Sequence, residues 1–224
     1  MSKLPPAIEA FAEKYPHRIF PAGRTIIYQS EIPRSGYILT RGVIRVYSLN
    51  IDGEESNITF LKEDAIVPWE FVFARTSASL YYYSAATEIE VAAIPVEDIR
   101  TEVKTNFELQ QALVDALTTK YVGAHMHIQA LEQSRAREKI IHILQYLVLR
   151  FGKNIADDRW IIDLPLKQHD IANMVGVTRE TTGTELGKLK KANIISYDSF
   201  LYTVDMKALS DLIGISHWED IEIG

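Results

Sequence analysis

Short runs of β-branched and aromatic residues, separated by turn residues, fill the segment 25–95. Such side chains favour a pleated, half-buried backbone, so each run predicts a strand. Asp52-Gly53 supplies the positive backbone angle that a tight hairpin turn at 50–54 requires. About seven short strands this closely spaced predict a small antiparallel barrel or roll. The clearest runs are Ile26-Ile27-Tyr28, Gly36–Leu39, Val43–Tyr47, Ser56–Phe60 and Glu88–Ile94.

The strand pattern stops at Val96, and apolar residues then recur at steps of three and four. This spacing places them in one stripe on a long helix, residues 105–131, close to a coiled-coil seam. A stripe of this length usually needs a partner helix, so we expect this helix to form a homodimer. A helix that packs only on its own roll is the alternative. The predicted interface residues are Leu109, Leu113, Leu117, Tyr121, Ala124, Ile128 and Leu131.

The last part of the chain mixes helical and strand patterns. A second helix is predicted over Lys139–Phe151, and Gly152 ends it. Trp160–Leu164 has the composition of a strand. Ile194–Tyr197 and Phe200–Val204, joined by a turn at Asp198-Ser199, predict a two-stranded wing.

The segment Leu166–Asn193 lies between these strands and has the pattern of a helix-turn-helix. Ile171 and Ala172 are an apolar and a small residue that let a first helix pack closely. Gly176 stands where the turn needs a left-handed backbone. Thr178 can cap a second helix by accepting a hydrogen bond from its free N–H groups.

These elements give an α+β fold in two domains, and the domains differ in charge. Residues 1–131 form the antiparallel β-roll with its dimerisation helix, and residues 132–224 form the winged helix-turn-helix domain. The whole chain has a net charge of −6, with twelve basic and sixteen acidic residues in 1–130. The segment 131–210 holds twelve basic and ten acidic residues. A mildly basic segment between acidic ones can still bind phosphate locally.

The exposed face of the second helix is predicted to read double-stranded DNA. In the major groove, Arg179 can pair in two-pronged fashion with guanine O6 and N7, and Glu180 can accept from cytosine N4. Contacts to phosphate would position the protein without specifying sequence. A helix-turn-helix that docks a protein instead is the alternative. The predicted phosphate-contacting residues are Lys167, His169, Thr178, Thr181, Thr182 and Lys188.

The composition of the chain excludes several kinds of functional site. The chain has no cysteine, which excludes disulfides, thiolate metal sites and iron–sulfur clusters. It has no run of eighteen apolar residues and no apolar signal segment at its start, so we expect a cytoplasmic protein without membrane contact. Residues 24–95 hold no histidine, and a cupin-type metal enzyme would need several there. No catalytic motif is present, so an enzyme is not expected.

Two stretches resemble the Crp/Fnr (catabolite activator) family. Val175–Thr182 matches the family's recognition motif almost throughout, and Gly42–Glu55 is similar to its β-roll hairpin. The order of roll, long helix and winged helix-turn-helix also fits, so the resemblance covers nearly the whole chain. It implies a cyclic-nucleotide-binding-like roll, a homodimer on a palindromic operator, and RNA polymerase as a partner. The family's activators often carry a second arginine where this chain has Thr184, so we expect a different half-site.

The roll departs from the family's cyclic-nucleotide cassette. Val67-Pro68 replaces the Gly-Glu pair, and Ser79 or Leu80 stands where the phosphate-binding arginine should be. Arg75-Thr76-Ser77-Ala78 has the right pattern but lies too early. A buried phosphate without its arginine is costly to desolvate, which argues against a cyclic nucleotide.

Another small molecule could bind the roll instead. Trp69, Glu70, Tyr81 and Tyr83 are the candidate pocket residues, with core packing as the alternative for the aromatic ones. His125 and His127 lie two apart on a helix and face different ways, so they cannot ligate one metal ion together. One of them as a single axial haem ligand is the alternative, but an exposed or hydrogen-bonded histidine is the commoner case, so neither haem nor a metal is expected. The effector stays unidentified.

Overall fold

The β-rich segment predicted for 25–95 forms antiparallel sheets in the computed structural model, which describes residues 4–214, 220, 221 and 223. The chain divides into two units, Met1–Leu117 and Thr118–Gly224. The division falls inside the long helix. Elements that begin in the first unit are α1 (Pro6–Ala12), β1 (His17–Phe20), β2 (Thr25–Ile27), β3 (Ser35–Arg41), β4 (Ile44–Leu49), β5 (Glu55–Leu61), β6 (Ile66–Val67), α2 (Trp69–Val72), β7 (Tyr82–Ala85), β8 (Ile89–Pro95), α3 (Val96–Thr105) and α4 (Phe107–Glu132).

Two four-stranded sheets, in the orders β1-β8-β3-β6 and β2-β7-β4-β5, form the roll. Strand β4 shows why they enclose a core: Ile44 and Val46 are buried, while the alternate residues Arg45 and Tyr47 are not. The interior of the roll is apolar. It is built from Ile27, Leu39, Ile44, Val46, Ala65, Val67, Tyr83, Ala85, Ile89 and Val91.

A second core lies where the helices of this unit cover one sheet. Strand β8 is apolar on both faces, so Val91 belongs to the interior of the roll and Ala92 to this second core. Helices α1 and α3 and the first turns of α4 supply its other side. The buried members are Ile8, Phe11, Ala12, Ile38, Ile66, Val72, Ala92, Ile94, Val96, Ile99, Leu109 and Leu113.

The burial of Leu109 and Leu113 corrects the predicted dimer interface. Their exposed fractions are 0% and 4%, so both pack inside the first unit and neither is open to a second chain. The cause is that the first turns of α4 pack into the second core, together with residues of α1 and α3. The packing alternative therefore holds for the start of the helix. It does not hold from Leu117 onward, where the stripe is exposed.

The strands predicted in the roll are confirmed, together with the hairpin turn. At that turn the Asn50 Oδ1 accepts hydrogen bonds from the N–H groups of Asp52 and Glu54, both at 2.9 Å, and Gly53 has φ 78°. The pattern missed β1, β6 and β7. Strand β1 is largely exposed and places two polar residues before two apolar ones, and β6 has only two residues, so neither shows a period of two.

The second unit is built around α5, whose apolar residues are buried on most of its circumference. A four-stranded antiparallel sheet, in the order β11-β12-β10-β9, accompanies its helices. The predicted second helix, the strand near Trp160 and the wing are all present, and β9 and α8 are additional. The elements are α5 (Ala136–Phe151), β9 (Gly152–Ala156), β10 (Arg159–Ile162), α6 (Gln168–Val175), α7 (Arg179–Lys191), β11 (Ile195–Asp198), β12 (Leu201–Asp205) and α8 (Met206–Ile213).

Within the described ranges, no helix combines the length and the apolar character that a membrane span requires.

Candidate nucleic-acid interface

Helices α6 and α7 form the predicted helix-turn-helix, and the turn follows from two residues. Gly176 adopts the left-handed conformation with φ 65°, which ends α6 at Val175. The Thr178 side-chain oxygen accepts a hydrogen bond from the Thr181 N–H at 3.1 Å and so caps α7. Both features were predicted from the sequence.

A buried face joins the two helices. Ile171 on α6 packs inward, as do Leu186 and Leu189 on α7. A Cβ placed on Gly183 would lie 2.9 Å from the Oε1 of Gln168, so the side chain of Gln168, the first residue of α6, lies over this glycine. Nothing in the sequence pattern indicated a role for Gly183.

Arg179 and Glu180 are exposed in the first turn of α7. At about 100° per residue, Glu180 and Thr184 lie on the face of the helix opposite Leu186 and Leu189. The Thr184 hydroxyl donates to the Glu180 carbonyl at 3.0 Å. The unit therefore presents a guanidinium and a carboxylate at the exposed start of α7, with a short hydroxyl side chain one turn further on.

Four of the predicted phosphate-contacting residues are exposed around this tip: Lys167, His169, Thr178 and Lys188. Thr181, beside them, is half-buried. The Nε2 of His169 lies 3.0 Å from the Asn173 amide nitrogen, so a neutral His169 carries its proton on Nδ1. The Lys188 ammonium pairs with Glu185 at 2.6 Å but remains largely exposed.

Thr182 is a correction. Its exposed fraction is 0%, and its hydroxyl donates to the Thr178 carbonyl at 3.0 Å, so it belongs to the interior and cannot reach a phosphate. The reason is helical spacing, because Thr182 lies four residues before the buried Leu186 and shares its face.

The wing ends in a turn one residue later than predicted. Ser199 and Phe200 have φ values of 49° and 72°, in place of a turn centred on Asp198 and Ser199. The Phe200 carbonyl accepts from the Leu166 N–H at 2.9 Å, which fixes the wing tip beside the start of α6. The Phe200 side chain is 58% exposed. The wing tip therefore adds an exposed aromatic ring to the same side of the unit as Lys167.

Two side chains connect the end of α4 with the helix-turn-helix. The buried His127 places its Nε2 2.7 Å from the Met174 carbonyl, and its ring is stacked with Tyr146 at 5.9 Å. The Lys139 ammonium donates to the Leu131 carbonyl at 2.8 Å and lies 3.5 Å from the Val175 carbonyl. His125 is exposed on another face of α4, as predicted from the spacing.

The candidate pocket residues of the roll are only partly brought together. Glu70 and Tyr83 are hydrogen-bonded at 2.8 Å, and Tyr81 packs against the interior core near them. Trp69 lies in the helical core instead, with its ring 4.4 Å from that of Phe73. Among the described residues, no group of three or more histidine or acidic side chains could hold a metal ion.

Comparison with known proteins assigns both units. Residues 17–106 match the cyclic nucleotide-binding domain family, and residues 138–212 match the Crp-like helix-turn-helix domain. A roll of this type followed by a winged helix-turn-helix defines a class of transcription regulators that combine both domains in one chain. The chain belongs to the Crp/Fnr family of these regulators.

Relatives support this assignment over most of their length. The global nitrogen regulator of Nostoc sp. (strain PCC 7120) is 25% identical over 202 residues, covering 90% of this chain and 86% of that protein. The fumarate and nitrate reduction regulatory protein of Vibrio cholerae is 25% identical over 195 residues, covering 87% and 77%. A CooA mutant from Carboxydothermus hydrogenoformans shares the fold, with a TM-score of 0.75, 16% identity and coverage of 94% and 95%.

The left-handed turn gives a test of this architecture. Gly176→Ala should lower the free energy of unfolding by about 1–2 kcal/mol, because a Cβ is unfavourable at positive φ. Nothing lies within 4 Å of a Cβ at this position, so the cost is conformational rather than steric. Gly176→Asn should cost much less, since asparagine tolerates this conformation. Urea unfolding of the full chain, followed by circular dichroism, measures the change.

Gly187→Ala is the matched control. It also meets nothing within 4 Å, but it lies within α7 and has no positive φ. Alanine there should be neutral or should stabilise by up to about 1 kcal/mol. Equal stability of Gly176→Ala and wild type would contradict the assigned turn.

Proposed function

We propose that this protein is a homodimeric, sequence-specific transcription regulator that acts on double-stranded DNA in the cytoplasm. The dimer pairs along α4 and reads a palindromic operator through Arg179 and Glu180. A signal other than a cyclic nucleotide, received by the roll, controls the spacing of the two reading helices. RNA polymerase is the partner through which the bound dimer changes transcription.

The observation that supports DNA reading is the exposure of Arg179 and Glu180 at the capped start of α7. A guanidinium can donate two parallel hydrogen bonds to guanine, and a carboxylate can accept from cytosine. The N-terminal residues of a recognition helix are the ones that contact base edges in this motif. Thr184 cannot span the two acceptors of a guanine, so the half-site should differ from that of family members with arginine there.

The residues around α7 would hold the DNA backbone. Lys167 and Lys188 offer ammonium groups to phosphates, and Thr178 and Thr181 offer hydroxyl groups at a helix start, where N–H groups also favour anions. With Thr182 withdrawn into the core, the exposed His169 completes this set.

The exposed part of α4 supports a dimer. Leu117, Tyr121, Ile128 and Leu131 have exposed fractions between 39% and 66%, and they follow one helical stripe with the exposed Ala124. Val114, which was not among the predicted interface residues, lies on the same stripe and is 54% exposed. Several adjacent apolar side chains on one surface mark an interaction site, and a second copy of the helix fits a seam of this spacing.

Arg179→Ala tests the reading of bases. An operator is first selected from random palindromic DNA with the wild-type protein, and affinities are then compared by gel shift at a fixed salt concentration. Each lost bidentate contact should cost about 1–3 kcal/mol of discrimination, so affinity should fall sharply while the circular dichroism spectrum stays unchanged.

Arg24→Ala, an exposed arginine in the roll, is the matched control and should bind the operator as wild type does. If Arg179→Ala binds equally well, Arg179 does not read bases. If the wild type selects no sequence at all, the helix-turn-helix serves a protein contact instead.

Two leucines one turn apart on α4 test the dimer. Leu113→Ala removes a core side chain and should lower the free energy of unfolding by about 2–5 kcal/mol, with the dimer otherwise retained. Leu117→Ala removes a side chain of the exposed stripe, so it should raise the dimer dissociation constant and leave the unit folded. Sedimentation equilibrium and urea unfolding separate the two effects. A monomeric wild type at micromolar concentration would contradict the proposed pairing.

A further inference from the structure

The carboxylate of Glu70 lies among hydrogen-bond donors in the roll. Its Oε2 accepts from the Tyr83 hydroxyl at 2.8 Å, and its Oε1 accepts from the Leu80 N–H at 3.0 Å. The Ser79 hydroxyl lies 3.4 Å from the same Oε1, but it is closer to the Tyr81 carbonyl, at 2.9 Å. The two firm donors therefore come from Tyr83 and Leu80, and each holds a different oxygen.

The Tyr83 donor is buried, the Leu80 N–H belongs to a residue that is 47% exposed, and the segment that carries both is built into the fold. Ser79 and Tyr83 are both almost completely inaccessible, and the Ser79 backbone is bonded to Ser30 and Glu31 at 2.8 Å each. Burial first, and then the charge of Glu70, raise the pKa of Tyr83 far above its ordinary value. The phenol therefore keeps its proton and stays a donor throughout the physiological pH range.

The segment that carries Glu70 is also fixed. The Arg100 guanidinium on α3 donates to the Phe71 carbonyl at 2.9 Å and to the Val72 carbonyl at 2.7 Å. Arg100 itself pairs with Glu97 at 2.6 Å. Helix α2 thus holds Glu70 in place from one side, and the strand-entry segment 79–83 holds it from the other.

The position of these donors in the roll corresponds to the phosphate site of cyclic-nucleotide-binding family members. Ser79 and Leu80 stand where the sequence comparison with cyclic-nucleotide cassettes places the phosphate-binding arginine. Donors at that position suit an anion, and here the anion belongs to the chain itself. A cyclic phosphate brought to the same donors would lie against a carboxylate of like charge.

We propose that Glu70 is a built-in anionic ligand of the roll. Its carboxylate occupies a carboxylate-binding cradle formed by the Leu80 N–H and the Tyr83 hydroxyl, with Ser79 at the edge. The cradle links α2 to β7 without any added anion, and it takes a small monocarboxylate when Glu70 is removed. This inference rests on the proposed function and extends its sensing part. Because the Glu70 carboxylate already occupies these donors, the roll does not require the phosphate of a cyclic nucleotide at this position.

Chemical rescue of the full-length Glu70→Ala variant tests the cradle. The atoms removed are those of an acetate ion, so acetate is the probe. The variant leaves the buried Tyr83 hydroxyl and the Leu80 N–H without their acceptor, and it should unfold at a temperature lower by roughly 4–8 °C. Acetate should restore most of this loss in the variant and should not raise the melting temperature of the wild type. Chloride at equal ionic strength should have no such effect.

Three further variants keep the test decisive. Glu70→Ala combined with Tyr83→Phe removes one firm donor, so acetate should no longer rescue it. Glu70→Gln fills the space with a neutral group that offers one acceptor, so it should be destabilised and should not respond to acetate. Glu13→Ala, an exposed acid in the same unit, should melt as wild type does.

An unchanged melting temperature in both Glu70→Ala and Glu70→Gln would overturn the proposal. Equal rescue of the single and double variants by acetate would overturn it as well. None of these measurements uses DNA, so their failure is distinct from failure of the operator-binding test with Arg179→Ala.

Discussion

The position of α7 depends on how the carbonyl end of α6 is held. The last turn of any helix leaves carbonyl groups without intrahelical partners. Here His127 from α4 approaches the Met174 carbonyl, and Lys139 from α5 approaches the Val175 carbonyl while also bonding the end of α4. A cation at a helix C-terminus is favoured by the helix dipole. These contacts tie the long helix directly to the element that sets the orientation of α7.

Local signals in the sequence were enough to locate the helix-turn-helix. Gly176 and Thr178 act through their own backbone and side-chain chemistry, so their roles depend little on the rest of the fold. The burial of Thr182 could also have been predicted from the sequence, since Thr182, Leu186 and Leu189 lie on one stripe of the helix. It was missed because a hydroxyl beside the two residues predicted to read bases suggested phosphate contact.

Other features depend on long-range packing and could not be predicted. The apolar stripe of α4 is continuous in the sequence, and nothing in its spacing shows that Leu113 is covered by the roll unit while Leu117 is not. The partners of Glu70 come from residues nine to thirteen positions further along the chain, across a turn with no clear period. The wing turn at Ser199 and Phe200 is likewise accompanied by a long-range hydrogen bond, from the Leu166 N–H to the Phe200 carbonyl.

Helix α4 contributes residues to both units, and this has a consequence for recombination between such regulators. Its first turns complete the core of one unit through Leu109 and Leu113, and its last turns contribute His127 and the buried Ala130 to the other. In a chimera joined after the helix, near Glu132, the transferred second unit would lack its own His127. The Met174 carbonyl would then lose its imidazole partner, and one face of the Tyr146 ring would be left uncovered. Exchange in the middle of the helix, near Thr118, keeps both cores whole, so the centre of α4 is the point at which the two units can be exchanged between family members.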